Sequence, residues 1–339
     1  MEKPTLSIII PAYNVEKYIG QLIEDLQSQT FKDWEAVIID DCSSDATVET
    51  VERATAGDSR FRLIRRDRNS GGAFIPRYEA AAMATSEYVV ALDADDRINK
   101  EYLEKLYGRC LETGADIVFS MNINERVGSH DAIFNHSVLS TDEVYDGDKL
   151  VIHTLYGWKF AAGGGLYRHK LYVDSINEAI RIEKEDSLGK LSLPLIKNPF
   201  LDEVVTRLLL INASKVAFAK EAEYIYVYNP GSVMATTIYM KLETDLMLGK
   251  IIADRFGKES DEWKRFLKAY FCYVVDMMKI FTPYRKNPPM AITMLRNAYD
   301  RNLWKEAKDE ISKKYYAALS SGYLAARIIF SLFPTPPLG

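Results

Sequence analysis

The chain has 339 residues, 47% of them hydrophobic and 27% charged, and a formal net charge of -5. This length allows two domains, this composition is that of a globular protein, and the small negative charge gives no general attraction to nucleic acid. No apolar run approaches the roughly 20 residues that span a bilayer. The N-terminus shows no signal-peptide pattern, and the three cysteines have neither paired nor metal-binding spacing. We therefore expect a cytoplasmic protein without disulfides that does not cross the membrane.

Four apolar runs in the first part of the chain alternate with helical patterns. The predicted strands lie at 6–10, 34–39, 61–64 and 88–92. Such short runs, rich in β-branched residues, indicate buried strands. Between the first two, Tyr18, Leu22 and Leu26 recur at helical spacing. The order β-α-β-α-β-α-β predicts a parallel sheet that is covered by helices.

Polar residues follow the strands where the chain should turn. We expect Pro11 to end the first strand, Asn14 to cap the helix after it, and Ser44 or Asp45 to cap the next helix. The polar strand ends are Tyr13, Asp41, Gly71 with Gly72, and residues 93–96. Ligands of such sheets bind beyond the carboxyl ends of the strands. Four polar ends on one edge therefore predict a binding site there.

Residues 93–96 place three carboxylates within four positions, on Asp93, Asp95 and Asp96. A buried carboxylate without a partner is costly. Hard cations such as Mg²⁺ and Mn²⁺ prefer oxygen ligands and keep phosphates as co-ligands. Taken alone, the stretch fits a solvated turn that caps a helix near Asn99 better than a metal site. The other polar strand ends reverse that preference and predict a metal–diphosphate site.

The alternation continues through residue 119, and the periodicity weakens from about Gly128. Further elements are predicted as a helix at 100–113, a strand at 116–119, a helix at 202–210, and strands at 215–219 and 223–228. The glycine-rich stretch 161–167 fits either a close approach of backbone to a ligand or a plain turn. Beyond residue 238 the patterns are helical, at 239–255, 261–280, 291–299 and 305–332. We place a boundary near residue 235.

An apolar stripe runs along the predicted C-terminal helices. Ile311, Tyr315, Leu319 and Tyr323 recur four residues apart, and basic residues flank them. Such a stripe usually packs against another helix of the same chain or of a second subunit, and that is our expectation. The alternative is peripheral contact with the inner face of a membrane.

The serial order of four motifs resembles that of family 2 glycosyltransferases, which have the GT-A fold. The motifs are residues 7–14, residues 37–45, residues 69–72 with Arg77, and the DxD element at 91–96. Cys42 stands where glycine is usual. The resemblance covers about the first 235 residues. It implies an α/β, Rossmann-like GT-A domain at 1–235, with a nucleotide-binding half at 1–125, an acceptor half at 126–235, and a C-terminal helical region at 236–339.

By this resemblance, eight residues would contact the nucleotide sugar. They are Pro11, Tyr13, Asp41, Asn69, Gly71, Arg77, Asp93 and Ala94. Asp41 would accept the N3–H of uracil while Tyr13 stacks nearby, which predicts uridine specificity. Asp93 would face the ribose or the sugar, and Asp95 would bind Mn²⁺ or Mg²⁺. The metal and Arg77 would neutralise the diphosphate and make it a better leaving group.

The family inverts the anomeric carbon by direct displacement, with a carboxylate base that deprotonates the acceptor hydroxyl. Asp202 and Glu203 lie where the family usually has Glu-Asp, in swapped order. We favour Glu203 as the base because of its position, and because Asp202 is the better helix cap by length. Glu185 with Asp186 is the upstream alternative, and helix capping alone is another. Val227 stands where many relatives have a basic residue, which leaves phosphate contact from that segment open.

The resemblance implies a metal-dependent hexosyl- or N-acetylhexosaminyltransferase. It would move a sugar from a UDP-sugar to a hydroxyl of a carbohydrate or lipid-linked glycan, as in bacterial cell-surface polysaccharide or teichoic acid synthesis. A non-catalytic nucleotide-binding module and another metal-dependent nucleotide-diphosphate enzyme are the alternatives. A dehydrogenase is disfavoured because no G-x-G-x-x-G follows the first strand. His169, Tyr156, Trp158 and Tyr167 are minor candidates for the acceptor side, although aromatic residues more often pack in a core.

Overall fold

The computed structural model describes residues 3–124, 131–132, 140–155, 164–184, 201–227, 229, 240–281, 289–300, 303–306 and 313–331. The chain divides into two compact units. The first contains Met1–Val151, Trp158–Ile180 and Val205–Ser232, and the second contains Ile152–Gly157, Arg181–Val204 and Val233–Gly339. Two segments of the second unit, Ile152–Gly157 and Arg181–Val204, thus come before residue 235 in the chain. The single domain boundary expected near residue 235 stays a prediction.

Nine strands lie among the described residues of the first unit, and they form one mixed sheet. They are Leu6–Ala12 (β1), Trp34–Asp40 (β2), Phe61–Arg65 (β3), Tyr88–Ala91 (β4), Arg97–Ile98 (β5), Ile117–Asn124 (β6), Asp131–Ala132 (β7), Gly165–Arg168 (β8) and Val216–Tyr226 (β9). Their order is β3-β2-β1-β4-β8-β6-β9-β5, and β7 pairs with β6. The strands β1 to β4 are parallel, as predicted, whereas β8 runs antiparallel to β4 and β6. The sheet is therefore parallel where the ligand site was predicted and mixed beyond it.

The central strands are buried along nearly their whole length. All seven residues of β1 are buried, and six of the seven in β2. A strand that is covered on both faces needs apolar residues throughout, which explains why residues 8–10 show no alternation. Leu22 and Leu26 of the first helix enter the same core as Ile8 and Ile10. This packing holds the carboxyl ends of β1 and β2 at fixed positions.

Thirteen α-helices lie in the described residues. They are Ile19–Ser28 (α1), Thr47–Ala54 (α2), Phe74–Met83 (α3), Tyr102–Thr113 (α4), Gly147–Val151 (α5), His169–Lys184 (α6), Leu201–Asn212 (α7), Lys241–Phe256 (α8), Asp261–Ile280 (α9), Pro289–Asp300 (α10), Leu303–Glu306 (α11), Lys313–Ser320 (α12) and Tyr323–Ser331 (α13). A 3₁₀ turn occupies Ile152–Thr154. Within these ranges, no helix combines the length and apolarity that crossing a bilayer requires.

Two predictions at the end of the first strand are wrong. β1 continues through Pro11 to Ala12. The carbonyl of Ile9 accepts from Leu92 at 3.1 Å, so Ile9 and Pro11 face the β4 side. β4 ends opposite Ile9, and the missing N–H of Pro11 therefore costs no ladder hydrogen bond.

Asn14 does not cap α1, whose N-cap residue is Tyr18 without a side-chain hydrogen bond. It adopts a left-handed φ of 51°, which asparagine tolerates better than most residues. Its Oδ1 instead accepts the backbone N–H of Ser44 at 2.9 Å. Asn14 thus ties the first strand end to the second.

Two further elements differ from their predictions. The N-cap of α2 is Ala46, one residue later than expected, although Asp45 Oδ1 still accepts the N–H of Thr47 at 3.0 Å. The two strands predicted at 215–219 and 223–228 form the single strand β9. Its register against β6 jumps from Ala219 to Glu223, so the polar residues between them form a bulge rather than a turn.

The helices of the second unit form a core of their own. α9 packs against α8, α10 and α13. Leu319 and Phe330 are fully buried, and the Tyr323 ring lies 5.4 Å from that of Tyr299. The described part of the apolar stripe thus packs inside this unit, as expected. Ile311, and the side chain of Tyr315, lie outside the described residues.

Candidate functional site

The first two strand ends of the first unit are joined by backbone and side-chain hydrogen bonds. The N–H of Asp41 donates to the carbonyl of Ala12 at 2.8 Å, and the N–H of Asn14 donates to Ser43 Oγ at 2.9 Å. Tyr13 lies between these two contacts and is 49% exposed. A large aromatic ring held open beside a polar strand end can stack on a planar ligand. Cys42, which stands where glycine is usual in the family, adopts a φ of 64°.

Asp41 organises the loop that follows β3. It is only 2% exposed. Its carboxylate accepts the N–H of Ser70 at 3.0 Å and the Oγ of Ser70 at 2.8 Å. Asn69 Nδ2 donates to the carbonyl of Asp41 at 3.1 Å, and Asn69 Oδ1 accepts the N–H of Gly71 at 2.8 Å. The predicted nucleotide-contacting residues Asp41, Asn69 and Gly71 therefore belong to one hydrogen-bonded unit.

Arg66 is the partner of Asp41 that the sequence reasoning missed. Its Nη1 donates to Asp41 Oδ1 at 2.5 Å, and its Nε donates to Glu79 Oε2 at 2.9 Å. Burial opposes the charge, but the bonds to Asp41 and Glu79 raise the pKa of Arg66 above its usual value. A buried carboxylate needs such a compensating cation. The available signal was three arginines, Arg65, Arg66 and Arg68, directly after the predicted third strand.

Arg77 and Asp93 meet in a charge-assisted hydrogen bond between Nη2 and Oδ1. The Arg77 side chain is largely buried, while that of Asp93 is 36% exposed. The arginine lies on α3 and the aspartate follows β4, so the contact joins the third and fourth strand ends. A planar guanidinium holds a carboxylate in a fixed direction. Arg77 and Asp93, two of the residues predicted to contact the nucleotide sugar, are thus brought together.

The other acids of the turn differ in their surroundings. Asp95 is half-buried, and its Oδ2 accepts from Asn229 Nδ2 at 3.1 Å. Burial, and then the charge of Asp93, raise the pKa of Asp95. Asp96 is buried, and burial followed by the charges of Asp93 and Asp95 raise its pKa well above the usual value. Ala94, which lies between Asp93 and Asp95 in the sequence, is buried.

The donor set of this turn fits a hard divalent cation. Carboxylate oxygens are the ligands that Mn²⁺ and Mg²⁺ prefer. Burial and then the charge of Asp93 raise the pKa of Asp95, and a cation would relieve the repulsion between the two acids. In the part of the chain that the structure describes, no group of three or more histidine, cysteine or acidic side chains is arranged to hold an ion. An ion here would therefore need further oxygen ligands, such as those of a diphosphate.

The predicted base residues lie in the second unit, at the start of α7. The Glu203 side chain is buried and pairs with Lys241 of α8, which also contacts Asp245 at 3.1 Å. Burial, with the charges of Asp245 and Glu203, raises the pKa of Tyr273 beside them. Asp202 is half-exposed, and its Oδ1 accepts the N–H of Glu203 at 2.8 Å. No sequence signal marked Lys241, which lies 38 residues from Glu203.

The minor acceptor-side candidates have structural roles where they are described. Tyr167 is fully buried. The ring nitrogens of His169 lie 3.0 and 2.8 Å from the carbonyl oxygens of Ser86 and Ala81, so this side chain links α3 to the start of β4. The remaining candidates, Tyr156, Trp158, Glu185, Asp186 and residues 161–163, lie outside the described residues.

Comparison with known proteins identifies the family. Residues 7–157 match the family model described as glycosyl transferase family 2. GlyG, a glycosyltransferase of Streptococcus pneumoniae, is 26% identical over 75% of this chain and 79% of its own length. TuaG, a putative teichuronic acid biosynthesis glycosyltransferase of Bacillus subtilis, is 37% identical over 30% of this chain and 40% of its own length. TarS, a poly(ribitol-phosphate) β-N-acetylglucosaminyltransferase of Staphylococcus aureus, is 28% identical over 73% of this chain. The chain spans 39% of the length of TarS.

Solved structures share the fold. Residues 1–349 of S. aureus TarS, crystallised with UDP-GlcNAc, superpose with a TM-score of 0.66 at 21% identity, over 96% of this chain and 89% of that one. A mannosyltransferase of Pyrobaculum calidifontis, in complex with GDP-Man and Mn²⁺, gives a TM-score of 0.51 at 15% identity, over 98% and 86%. The family match and the glycosyltransferase relatives show that residues 7–157 form a domain of glycosyltransferase family 2, and the solved structures share the GT-A fold that the sequence predicted.

Proposed function

We propose that this enzyme transfers a sugar, with inversion, from a UDP-sugar to an acceptor hydroxyl in the synthesis of a bacterial cell-surface polysaccharide or teichoic acid. The observation that carries the proposal is the shared edge of β1, β2 and β4, where an exposed Tyr13 lies beside Asp41 and an acidic turn follows β4. TarS is a poly(ribitol-phosphate) β-N-acetylglucosaminyltransferase and TuaG a putative teichuronic acid biosynthesis glycosyltransferase, and TarS has been crystallised with UDP-GlcNAc. These relatives favour a UDP-linked hexose or N-acetylhexosamine as the donor.

The proposed roles of the strand-end residues rest on the family resemblance, and their contacts at one edge of the sheet support them. Tyr13 and Asp41 bind the uracil, and Arg77 with Asp93 lines the ribose and diphosphate. Asp95, together with diphosphate oxygens, would hold a Mn²⁺ or Mg²⁺ ion, which neutralises the charge of the departing UDP. Arg77 adds a cation at the same edge, and such charge stabilisation lowers the barrier to leaving-group departure.

The base role lies with Asp202 or Glu203, and the contacts of the second unit now favour Asp202. A base must reach the acceptor hydroxyl with a carboxylate oxygen. Glu203 is buried, and its carboxylate forms an ion pair with Lys241 inside the second unit. Asp202 lies one residue earlier and is half-exposed. We therefore propose that Asp202 accepts the proton and that Glu203 holds the start of α7 in place.

We further propose that the acceptor is a carbohydrate or lipid-linked glycan that is reached in the cytoplasm. None of the three cysteines forms a disulfide, which agrees with a reducing compartment. The described part of the C-terminal apolar stripe packs against other residues of the second unit. It therefore gives no support to contact with a second subunit or a membrane. That contact remains a secondary proposal.

A panel of nucleotide sugars tests the function. We expect UDP to raise the melting temperature in the presence of Mn²⁺, and UDP-GlcNAc or another UDP-hexose to release UDP when a glycan acceptor is added. A non-catalytic module would bind UDP without any turnover. A nucleotidyltransferase would instead release pyrophosphate from UTP and a sugar phosphate. Either of those results would replace the proposed function.

A further inference from the structure

The end of β9 contacts all three acids of the turn after β4. Tyr224 and Val227 bond to Asp96, Tyr224 also bonds to the backbone of Asp93, and Asn229 bonds to Asp95. β9 is far from this turn in sequence, since Tyr224 and Asp96 are 128 residues apart. All of these residues belong to the first unit. The acidic turn is thus held by a distant strand rather than only by its own neighbours.

Tyr224 links two parts of the turn through one hydroxyl. The N–H of Asp93 donates to the tyrosine oxygen at 3.2 Å. The hydroxyl has a single proton, which it donates to Asp96 Oδ2 at 2.5 Å. The ring itself has little freedom, because it packs on Tyr102 and against Gly164, where an added Cβ would come within 2.6 Å of the ring. A fixed hydroxyl therefore sets the position of the Asp93 backbone.

Asp96 is used as an anchor. Its second oxygen, Oδ1, accepts the N–H of Val227 at 3.0 Å, and the residue is only 2% exposed. Both oxygens of Asp96 are therefore engaged by Tyr224 and Val227, and the burial of the residue leaves little surface for a cation. Of the three acids, Asp93 and Asp95 are the ones with exposed side-chain surface. The sequence motif alone does not distinguish the role of Asp96 from the roles of Asp93 and Asp95.

Asn229 fixes the direction of the Asp95 carboxylate. Its Nδ2 donates to Oδ2 at 3.1 Å. An amide N–H₂ group is a donor and is not a metal ligand through its nitrogen. By binding one carboxylate oxygen it orients the other, as hydrogen-bonded neighbours of metal ligands commonly do.

We propose that Tyr224 and Asn229 are positioning residues for a metal–diphosphate site on Asp93 and Asp95, and that Asp96 anchors the turn without binding the metal. This inference rests on the proposed function, because it presupposes that the turn binds a divalent cation together with UDP. It assigns roles to Tyr224 in β9 and to Asn229 just beyond it, for which the DxD motif gives no indication.

The test is Mn²⁺ binding in the presence of saturating UDP, measured by electron paramagnetic resonance, with urea unfolding in parallel. Tyr224→Phe removes only the hydroxyl, and Asn229→Leu replaces the amide oxygen and nitrogen by methyl groups, with the same number of heavy atoms. Each should weaken Mn²⁺ binding by roughly 3- to 10-fold, the amount that one hydrogen bond supports. Tyr102→Phe is the matched control, since it also removes one buried tyrosine hydroxyl, and that hydroxyl makes no hydrogen bond to the turn. It should leave the Mn²⁺ affinity unchanged.

Two aspartate variants complete the test. Asp95→Asn should abolish Mn²⁺ binding, whereas Asp96→Asn should keep one Mn²⁺ per chain with an affinity reduced no more than in Tyr224→Phe. Loss of Mn²⁺ binding in a folded Asp96→Asn protein would make Asp96 a ligand and overturn the inference, as would unchanged affinity in both positioning variants. If the wild-type protein binds UDP but no Mn²⁺, the inference falls alone. If it binds neither, the proposed function falls with it.

Discussion

Lys241 pairs with Glu203 inside the second unit and so joins the start of α8 to the start of α7. The pair changes which of the two adjacent acids is suited to accept a proton. A buried carboxylate that is held by an ammonium is committed to that contact, while its neighbour Asp202 retains exposed surface. Two predictions follow from this relationship.

Asp202→Asn should lower the rate of sugar transfer by roughly 10²–10⁴-fold with little change in UDP-sugar affinity, because a general base acts on the acceptor and not on the donor. Glu203→Gln should keep most of the transfer rate. The measurement is the initial rate of transfer for both variants, with donor affinity determined by calorimetry. A silent Asp202→Asn beside an inactive but folded Glu203→Gln would return the base role to Glu203.

Lys241→Met should destabilise the protein by about 3 kcal/mol, near the lower end of the range for breaking a buried ion pair, because the Lys241 side chain keeps some exposure. It would leave both Glu203 and Asp245 without their shared cation. Urea unfolding at neutral pH measures the change. A Lys241→Met/Glu203→Leu double variant should recover part of the loss, and an unaltered unfolding midpoint for the single variant would show that the pair contributes no stability.

Asp41→Asn should weaken UDP binding by roughly 10- to 100-fold, since a hydrogen bond to a charged acceptor is lost. Ser70→Ala is the informative companion. Ser70 Oγ lies 2.8 Å from Asp41 Oδ2 and 2.9 Å from the carbonyl of Gly72, so it occupies the acceptor that uracil N3–H would need. We expect Ser70→Ala to bind UDP at least as tightly as the wild type in calorimetry. GDP binding the wild type as tightly as UDP would refute the uracil role of Asp41.

Glu35 should make stability fall in acid. Burial opposes its ionisation, but hydrogen bonds from Ser7 and Thr85, with the charge of Arg62, lower its pKa below 4.5. The unfolded chain therefore binds this proton more tightly than the folded one, and the stabilisation is present above about pH 4.5 and lost as the pH falls through the folded-state value. Glu35→Gln should cost about 1–3 kcal/mol at pH 7 and progressively less below pH 4.5. Urea unfolding across that range measures both, and a constant difference between the two proteins would contradict the assignment.

Local patterns were enough to find the strand ends, because an apolar run and the polar turn after it are adjacent in sequence. Asp41, Asp93 and Asp95 could be named on that basis. Their partners could not, since nothing about a tyrosine in a strand indicates a carboxylate 128 residues away. For the same reason, the sequence does not indicate that Lys241 pairs with Glu203, which lies 38 residues away.

The errors in the predicted elements have physical causes. Lys220 and Glu221 interrupt the apolar pattern of β9 as turn residues would, yet the β6 ladder resumes beyond them. Pro11 resembles a strand terminator, yet it stands where no neighbouring strand needs its N–H. In both places, pairing with a neighbouring strand determines where the strand ends, and the local sequence pattern does not show that pairing.

The position of β8 between β4 and β6 has a consequence for synthesis of the chain. β1 to β4 can pair with one another as soon as they leave the ribosome, because all of their parallel contacts lie within the first 91 residues. β6 pairs only with β7, β8 and β9, among the described strands, and all three come later in the chain. A nascent chain that ends before β8 therefore exposes unpaired edges on β4 and β6. Chains can aggregate through such unpaired edges, and chaperones bind surfaces of this kind.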